Sequence, residues 1–352
     1  MRRISVRELK SNMILARAVE NPSGGILLYE GARLREEQIQ KLVDNMVTEV
    51  YVNDGNGKEA SIYTIDTFQK ESIDMIRESV ETRIRTHDND EMEEIINTAS
   101  SIIKEIVTNV DIANCMVNVK RQNCDMYTHM LSVASLSTIM AIKAGFSEEQ
   151  LKDVAIGSLL HDIGLSSVEV PYDDIEISRM PAADKLNYRK HVITGYETVQ
   201  AFNWISDTCK MIVLSHHERI DGSGYPFHKA GERIPPEVRI VSICDHFDEM
   251  INGIGYKKRR VHEVVEYFRT NETYLFDYEL MNLVLSTIAW FPTGSKVKTN
   301  EGEIAVIYKQ NVELPDRPVL KILKYADGRD CVGDVYKDLT EELTVFIFEE
   351  IE

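Results

Sequence analysis

The sequence predicts a mainly α protein: a helical middle domain, a small mixed α/β domain before it and a small β-rich module after it. Three observations carry this. Residues from about 119 to 290 read as a run of amphipathic helices with capping signals and short loops. The first 62 or so residues mix short strands with one helix, and from about 291 the helical period gives way to alternation. The expected division is 1–62, a helical linker or hairpin over 63–118, 119–290 and 291–352.

In the first domain "NMILARAVE" and "GGILLYEG" read as short strands with Gly-Gly as a turn, "REEQIQKLVDN" as a helix and "VTEVYVND" as a returning strand. With no catalytic cluster in it, this is read as an accessory or interaction domain. In the linker, Met92, Ile95, Ile96, Ala99, Ile102, Ile103, Ile106, Val107 and Val110 form a stripe at helical spacing, interrupted upstream by "THDND". Core packing is the first use for such a stripe. A homodimer through the helices of 63–118 is the second, and a signalling protein partner for the accessory modules is a further expectation.

In the middle domain Ser147 and Gln150 have the spacing of a capping box. Leu151, Val154, Ala155, Ser158 and Leu159 give that helix its buried stripe, and Gly164 is the expected stop. "IPPEVRIVSICDHFDEMING" opens on prolines and runs to Gly253. In the tail "GSKVKTNEGEIAVIYKQ" alternates around an Asn-Glu-Gly turn, with "PVLKILKY" and "TVFIFEEIE" as further strands.

Hydrophobic residues are 43% of the 352, enough for a packed core. With 40 Lys and Arg against 58 Asp and Glu, the formal charge is −18. That argues against a nucleic-acid polymer as partner, since such binding depends on neutralising phosphates. A small anionic ligand is still compatible if cations supply local positive charge. Five scattered cysteines without C-x-x-C read as reduced thiols. The N-terminal stretch gives neither a signal peptide nor a membrane helix, so the expected location is the cytoplasm, without membrane attachment.

Chemistry gathers in the middle domain. Asp125 and His129 share a helical face at i and i+4. His161 and Asp162 sit together in "LLHDIG", His191 reads as mid-helix in "YRKHVITG", and His216 and His217 open "HHERIDGSGYP". Asp245 and Asp248 share a face in "CDHFDEM". Five of nine histidines fall in this set. Several imidazoles cannot be buried cheaply without partners for their ring nitrogens, and metal ions are the simplest shared partner. Imidazole and carboxylate without thiolate suit iron or manganese rather than a structural zinc. The ligands are too many for one ion. A carboxylate such as Asp162 can bridge two, which is the arrangement for metal-assisted phosphate-ester hydrolysis.

The order H…HD…H…HH…D resembles the HD superfamily of metal-dependent phosphohydrolases over about residues 120 to 270, and "HHERIDGSGYP" resembles its HD-GYP subgroup of cyclic di-GMP phosphodiesterases. The resemblance implies an all-helical HD-type catalytic domain. It also implies two or three divalent ions, Fe or Mn, held by Asp125, His129, His161, Asp162, His191, His216, His217 and Asp245. Asp125 stands where members often use a glutamate. His161 and Asp162 would be the catalytic pair, with Asp162 bridging the ions and orienting the attacking hydroxide. Arg219, Asp221, Gly222, Gly224, Tyr225, Pro226, Tyr256 and Lys257 would contact a cyclic dinucleotide, with Tyr225 the first choice for stacking a guanine.

Two departures stand out. Leu165 occupies the place of the lysine in the family's HDIGK, and Ile254 and Gly255 replace the Arg and Pro of an R-P-Y segment. Two lost charge-assisted contacts, at about 1.5–3 kcal/mol each, would weaken phosphate binding roughly a hundredfold or more. Arg219, Lys257 and Lys190 are the candidates to compensate. Three readings therefore stand: a cyclic dinucleotide phosphodiesterase, a metallophosphohydrolase for another nucleotide or phosphoester, and a catalytically weakened domain that senses a cyclic dinucleotide.

Overall fold

The structure, a computed structural model, describes residues 126–351 continuously and, before them, 2–10, 13, 15–16, 19–20, 26–28, 34, 36–52, 61–64, 96–97, 99–104 and 115–119. The chain divides into two compact units, one of Met1–Tyr63 with Lys104–Met116, the other of Thr64–Ile103 with Val117–Glu352.

In the first unit β1 (Arg2–Ser5) pairs antiparallel with β4 (Glu49–Val52), Arg2 opposite Val52 and Ser5 opposite Glu49. β2 (Val19–Glu20) pairs with β3 (Ile26–Leu28), and α1 (Glu36–Asp44) follows. The period-two rule holds in β4, where Val50 and Val52 are buried and Glu49 is exposed. They join Ile4, Val6, Leu15, Leu34 and Leu42 in one small core. Further on come β5 (Ser61–Thr64) and β6 (Cys115–Asn118). Of the apolar stripe, Ala99 and Ile102 are buried in a helical stretch while Ile96 is largely exposed. Met92, Ile95, Ile106, Val107, Val110, "THDND", Cys124 and Asp125 lie outside the described residues.

The second unit contains the helical domain. α2 (Met126–Ala144) is buried from Met126 to Ala141, so it runs through the middle of the domain. α3 (Glu148–Leu160) packs on it and opens on the expected capping box: Gln150 N–H donates to Ser147 Oγ (3.3 Å), and Ser147 N–H to Gln150 Oε1 (3.0 Å). Next come α4 (Ala182–Arg189), α5 (His191–Gln200) and α6 (Asp207–Ser215). α7 (Pro236–Asn252) has Pro at its mouth and Gly253 at φ 82° as its left-handed stop, then packs against α2. α8 (Val261–Asn271) and α9 (Tyr278–Thr287) complete the domain.

Two sequence expectations are corrected here. α3 ends at Leu160 rather than running to Gly164, which lies in a 3-10 turn over Ile163–Ser167. That turn presses on α5, and a Cβ on Gly164 would collide with the His191 carbonyl. His191 is not mid-helix. The Lys190 N–H bonds the Asn187 carbonyl at 3.2 Å, an i to i−3 bond that tightens the end of α4, and His191 is the first residue of α5.

The remaining residues form a five-stranded antiparallel sheet in the order β10-β9-β8-β7-β11. Its strands are β7 (Lys296–Thr299), β8 (Ile304–Lys309), β9 (Val319–Lys324), β10 (Tyr336–Asp338) and β11 (Ile347–Ile351). Val297 faces Ala305 and Ile307 faces Leu320 in the ladder, and all four join Phe291, Ile322, Leu339 and Val345 in the module's core. The sheet is fastened to α8 through His262, whose ring stacks on Phe291 (4.9 Å) and whose Nδ1 lies 3.7 Å from Glu350. Among the described residues no helix is long and apolar enough to cross a membrane.

Candidate metal centre and cleft

Five helices bring seven of the eight predicted ligands to one buried point. α2 carries His129, the end of α3 carries His161 and Asp162, and the start of α5 carries His191. The end of α6 delivers His216 and His217, and α7 carries Asp245. None of these seven side chains is more than 5% exposed. Asp162 stands between two pairs of imidazoles. Its Oδ1 lies 3.3 Å from His191 Nε2 and 3.5 Å from His216 Nε2; its Oδ2 lies 3.4 Å from His129 Nε2 and 3.5 Å from His161 Nε2. Asp245 Oδ1 closes the second group at 3.1 Å from His129 Nε2 and 3.2 Å from His161 Nε2. Asp125 lies outside the described residues, so this geometry is set without it.

The outward nitrogens show which tautomers are present. His161 Nδ1 is 2.7 Å from the Ser158 carbonyl, His191 Nδ1 is 2.7 Å from the Tyr188 carbonyl, and His216 Nδ1 is 3.0 Å from the Val213 carbonyl. A carbonyl only accepts, so each Nδ1 carries a hydrogen, and in the neutral ring Nε2 then turns a lone pair inward. His129 Nδ1 is held at 2.7 Å by Asp248, which also accepts from Ser132 Oγ (2.6 Å) and Asn252 Nδ2 (3.0 Å). Asp248 is thus an orienting group for a ligand rather than a ligand. The Nε2 atoms of His129 and His161 lie 3.3 Å apart, and those of His191 and His216 likewise 3.3 Å. Asp162 Oδ1, Asp245 Oδ2 and His217 Nε2 are buried without a hydrogen-bond partner. Inward lone pairs and orphaned acceptors fit divalent cations.

The charges agree. Burial would push the Asp162 carboxyl up, but His161, His129 and His216 outweigh it and hold it well below the carboxylate range. Asp245 is likewise held low, against burial, by His129 and His161. Burial pushes His191 down to about 4, leaving it the neutral imidazole a cation needs. Burial pushes the neighbouring Cys244 thiol up to about 12, so it is inert packing.

The loop after His217 is pinned from inside. The Glu218 carboxylate, 2% exposed, accepts from the amides of Phe227 (2.7 Å) and Lys229 (2.9 Å). Gly222 has φ +83°, and a Cβ on Gly224 would fall onto the backbone of Arg219, His217 and Glu218. Tyr225 is thereby laid on the cluster, its ring stacked on His217 at 4.8 Å and 26°. Pro226 follows, half-buried, and Asp221 is exposed and accepts from Ser223 N–H (2.9 Å), closing its own turn. The Arg219 guanidinium donates to the carbonyls of His216 and Glu218 and to Ser242 Oγ (2.7 Å), and sits over the Phe276 ring.

A cleft opens beside the cluster at His217, Tyr225, Arg219 and Tyr256. Lys257 does not line it; it is exposed, with its Nζ 3.5 Å from Asp174. Lys190 is exposed at the end of α4 and does not line it either. Sequence reasoning missed six residues that do: Ile177, Ser178, Lys185, Tyr188, Arg189 and Glu249. Glu249 could have been found, since it follows Asp245 by one turn on α7. It groups with His217 and Asp245 as a third set of buried ligand atoms within 4.8 Å, and burial, then Asp245, pushes its carboxyl up to about 7. The α4 residues carried no signal, because only the tertiary placement of that helix turns them to the cleft.

Comparison with known proteins agrees with this picture. The profile of the HD domain family matches residues 94–280, and that of a KOW domain associated with HD domains matches residues 296–352. The cyclic di-GMP phosphodiesterase PA4108 of Pseudomonas aeruginosa is 26% identical over 68% of this chain and 59% of its own length. The cyclic di-GMP phosphodiesterase response regulator RpfG of Xanthomonas campestris is 31% identical over 44% of this chain and 41% of its own. The 3′3′-cGAMP-specific phosphodiesterase 2 of Vibrio cholerae is 32% identical over 44% of this chain and 28% of its own. The chain thus spans less than two thirds of these relatives. Among solved structures, Bd1817, a HDG"Y"P protein from Bdellovibrio bacteriovorus, superposes with a TM-score of 0.53 at 19% identity, over 81% of this chain and 98% of that one, and shares the fold.

Proposed function

The chain belongs to the HD domain family and its HD-GYP subgroup, and from that premise we propose that it is a metal-dependent phosphodiesterase acting on cyclic di-GMP or a related cyclic dinucleotide. The products are the linear dinucleotide, GMP or both. The observation that carries the proposal is the placement of Asp162, one carboxylate oxygen toward each of two imidazole pairs, beside an open cleft. His129, His161, Asp162 and Asp245 would hold one cation, and His191, His216 and Asp162 a second, with His217 beside it. The absence of thiolate favours iron or manganese. Bound there, the cations supply Lewis-acid polarisation of the phosphoryl oxygens and activation of water. The chain's part is to fix the ligand set through the anchored Nδ1 atoms, to hold Asp162 ionised, and to keep backbone and Tyr225 close to the reacting phosphate through Gly224.

We read residues 119–290 as the catalytic domain, 1–62 and 291–352 as accessory domains and 63–118 as the helical link, with a dimer through that link and a signalling partner as further readings. A cytoplasmic setting is supported by the unbonded thiols of Cys209, Cys244 and Cys331.

The test combines metal analysis with turnover. Protein purified anaerobically should carry two or more Fe or Mn per chain and convert cyclic di-GMP to linear dinucleotide or GMP. His161→Ala and Asp162→Ala should each abolish turnover with circular dichroism unchanged. Undiminished activity in both variants would sink the proposal. One observation favours a second reading, hydrolysis of another phosphoester or sensing without turnover: Leu165 and Ile254, at the family's cationic positions, are each 1% exposed and offer no charge to a phosphate. Turnover of other phosphoesters with none of cyclic dinucleotides would select the former; release of bound ligand unchanged would select the latter.

A further inference from the structure

The cleft has cations of its own on a different wall. Lys185 and Arg189 stand one turn apart on α4, on the side that also carries Tyr188. Tyr188 is 5% exposed, its hydroxyl donates to Glu249 Oε1 (3.4 Å), and its ring meets His191 edge-on at 5.1 Å. The helix is thereby fixed against the metal centre, and Lys185 and Arg189 line the cleft mouth. The Arg189 guanidinium lies 4.9 Å from the centre of the Tyr225 ring, which itself stacks on His217. Two ring contacts thus separate this cation from a predicted ligand.

Neither has an acidic partner among the described residues, although the chain carries 58 acids against 40 bases and some nearby cations are engaged. Lys257 pairs with Asp174, Arg259 with Glu176, and Arg219 is spent on two carbonyls and Ser242. Among the described residues neither Lys185 nor Arg189 forms an ion pair. The acid of the cleft lining, Glu249, is engaged with Tyr188 and His246. A charge left free at a cleft mouth is available to an anion.

We propose that Lys185 and Arg189 form a clamp for a second phosphate, the one that is not being hydrolysed, and so select a ligand with two phosphodiester groups over one with a single group. The clamp replaces in function the two cations that Leu165 and Ile254 do not supply. It rests on the phosphodiesterase reading and adds to it the origin of specificity.

The experiment compares two substrates on metal-loaded protein: cyclic di-GMP, with two phosphates, and bis(p-nitrophenyl) phosphate, with one. Lys185→Ala and Arg189→Ala should each raise KM for cyclic di-GMP about tenfold, a shift in KM rather than kcat, and the double variant should add to this. The loss on cyclic di-GMP should exceed that on the model diester by at least about tenfold, and Arg189→Lys should recover part of it. Equal losses on both substrates, or none on either, overturn the clamp. If wild type cleaves the model diester but leaves cyclic di-GMP intact, the phosphodiesterase reading fails for that ligand. The clamp is then judged by equilibrium dialysis of cyclic di-GMP, and either no binding to wild type or equal affinity in the double variant overturns it.

Discussion

Asp248 is the residue at which the metal centre can be weakened without touching a ligand. It is wholly buried and serves three donors: His129 Nδ1 at 2.7 Å, Ser132 Oγ at 2.6 Å and Asn252 Nδ2 at 3.0 Å. Asp248→Ala takes this acceptor away from all three. At about 1 kcal/mol or more apiece, the loss of stability is at least about 3 kcal/mol. It also frees the His129 ring to turn or change tautomer, so affinity for Mn(II) should drop about a hundredfold, the upper end for outer partners of a metal ligand. Asp248→Asn behaves differently. Its amide oxygen can accept from His129 and Asn252, and its NH₂ can donate to a turned Ser132 hydroxyl, so the geometry is kept and only the charge is lost. Stability should fall by about 1 kcal/mol and Mn(II) affinity by about tenfold. Chemical denaturation of the metal-free protein and competition with a chromophoric chelator give the two quantities separately. Alanine and asparagine variants equal to each other in both would refute the reasoning, because charge and geometry would then not be separable at this position.

Other expectations follow from the loop and the tail. Gly224→Ala places a methyl on the backbone of three residues, so the loop of 217–229 must move; turnover should fall at least about tenfold with a loss of about 1–3 kcal/mol in stability. Glu218→Ala strands the amides of Phe227 and Lys229, and limited proteolysis should then cut within 219–229 faster than in wild type. At the join of sheet and helices, burial would raise the Glu350 carboxyl, but the nearby His262 and Ser295 hold it below the glutamate range. A depressed carboxylate stabilises above its ordinary pKa, and the gain is lost as pH falls through the lower folded value. The difference in thermal midpoint between wild type and Glu350→Gln should therefore be present at pH 7, shrink as pH falls below about 4.3 and vanish only once the folded carboxyl itself is protonated.

Much of the helical domain was legible because its signals are local. Ser147 and Gln150 mark the start of α3, and Pro236 and Gly253 bracket α7, through hydrogen bonds and backbone angles confined to a few residues. The hairpin of β7 and β8 was legible for the same reason, whereas β10, of three residues, is too short to show a period. The helix break at His191 depends on a 3-10 turn packed beneath it, which no local pattern records. The convergence of His129, His161, Asp162, His191, His216, His217 and Asp245 was foreseen from residue type and order. The distinction between Asp245 and Asp248 came from the family resemblance and not from spacing. Both lie on one face of α7, and only the position of His129 decides which carboxylate looks into the cluster and which behind it. Lys185 and Arg189 were invisible because their role comes from the placement of α4.

Asp245 lies 116 residues from His129 along the chain, yet their side chains are 3.1 Å apart, with three further helices delivering to the same point. A cation held there would be a cross-link, closing long loops in a chain where Cys209, Cys244 and Cys331 are unbonded. Its removal would loosen five helices at once and expose them to proteases. The supply of metal in the cell would then govern how many copies of the protein survive, as well as how fast each one works.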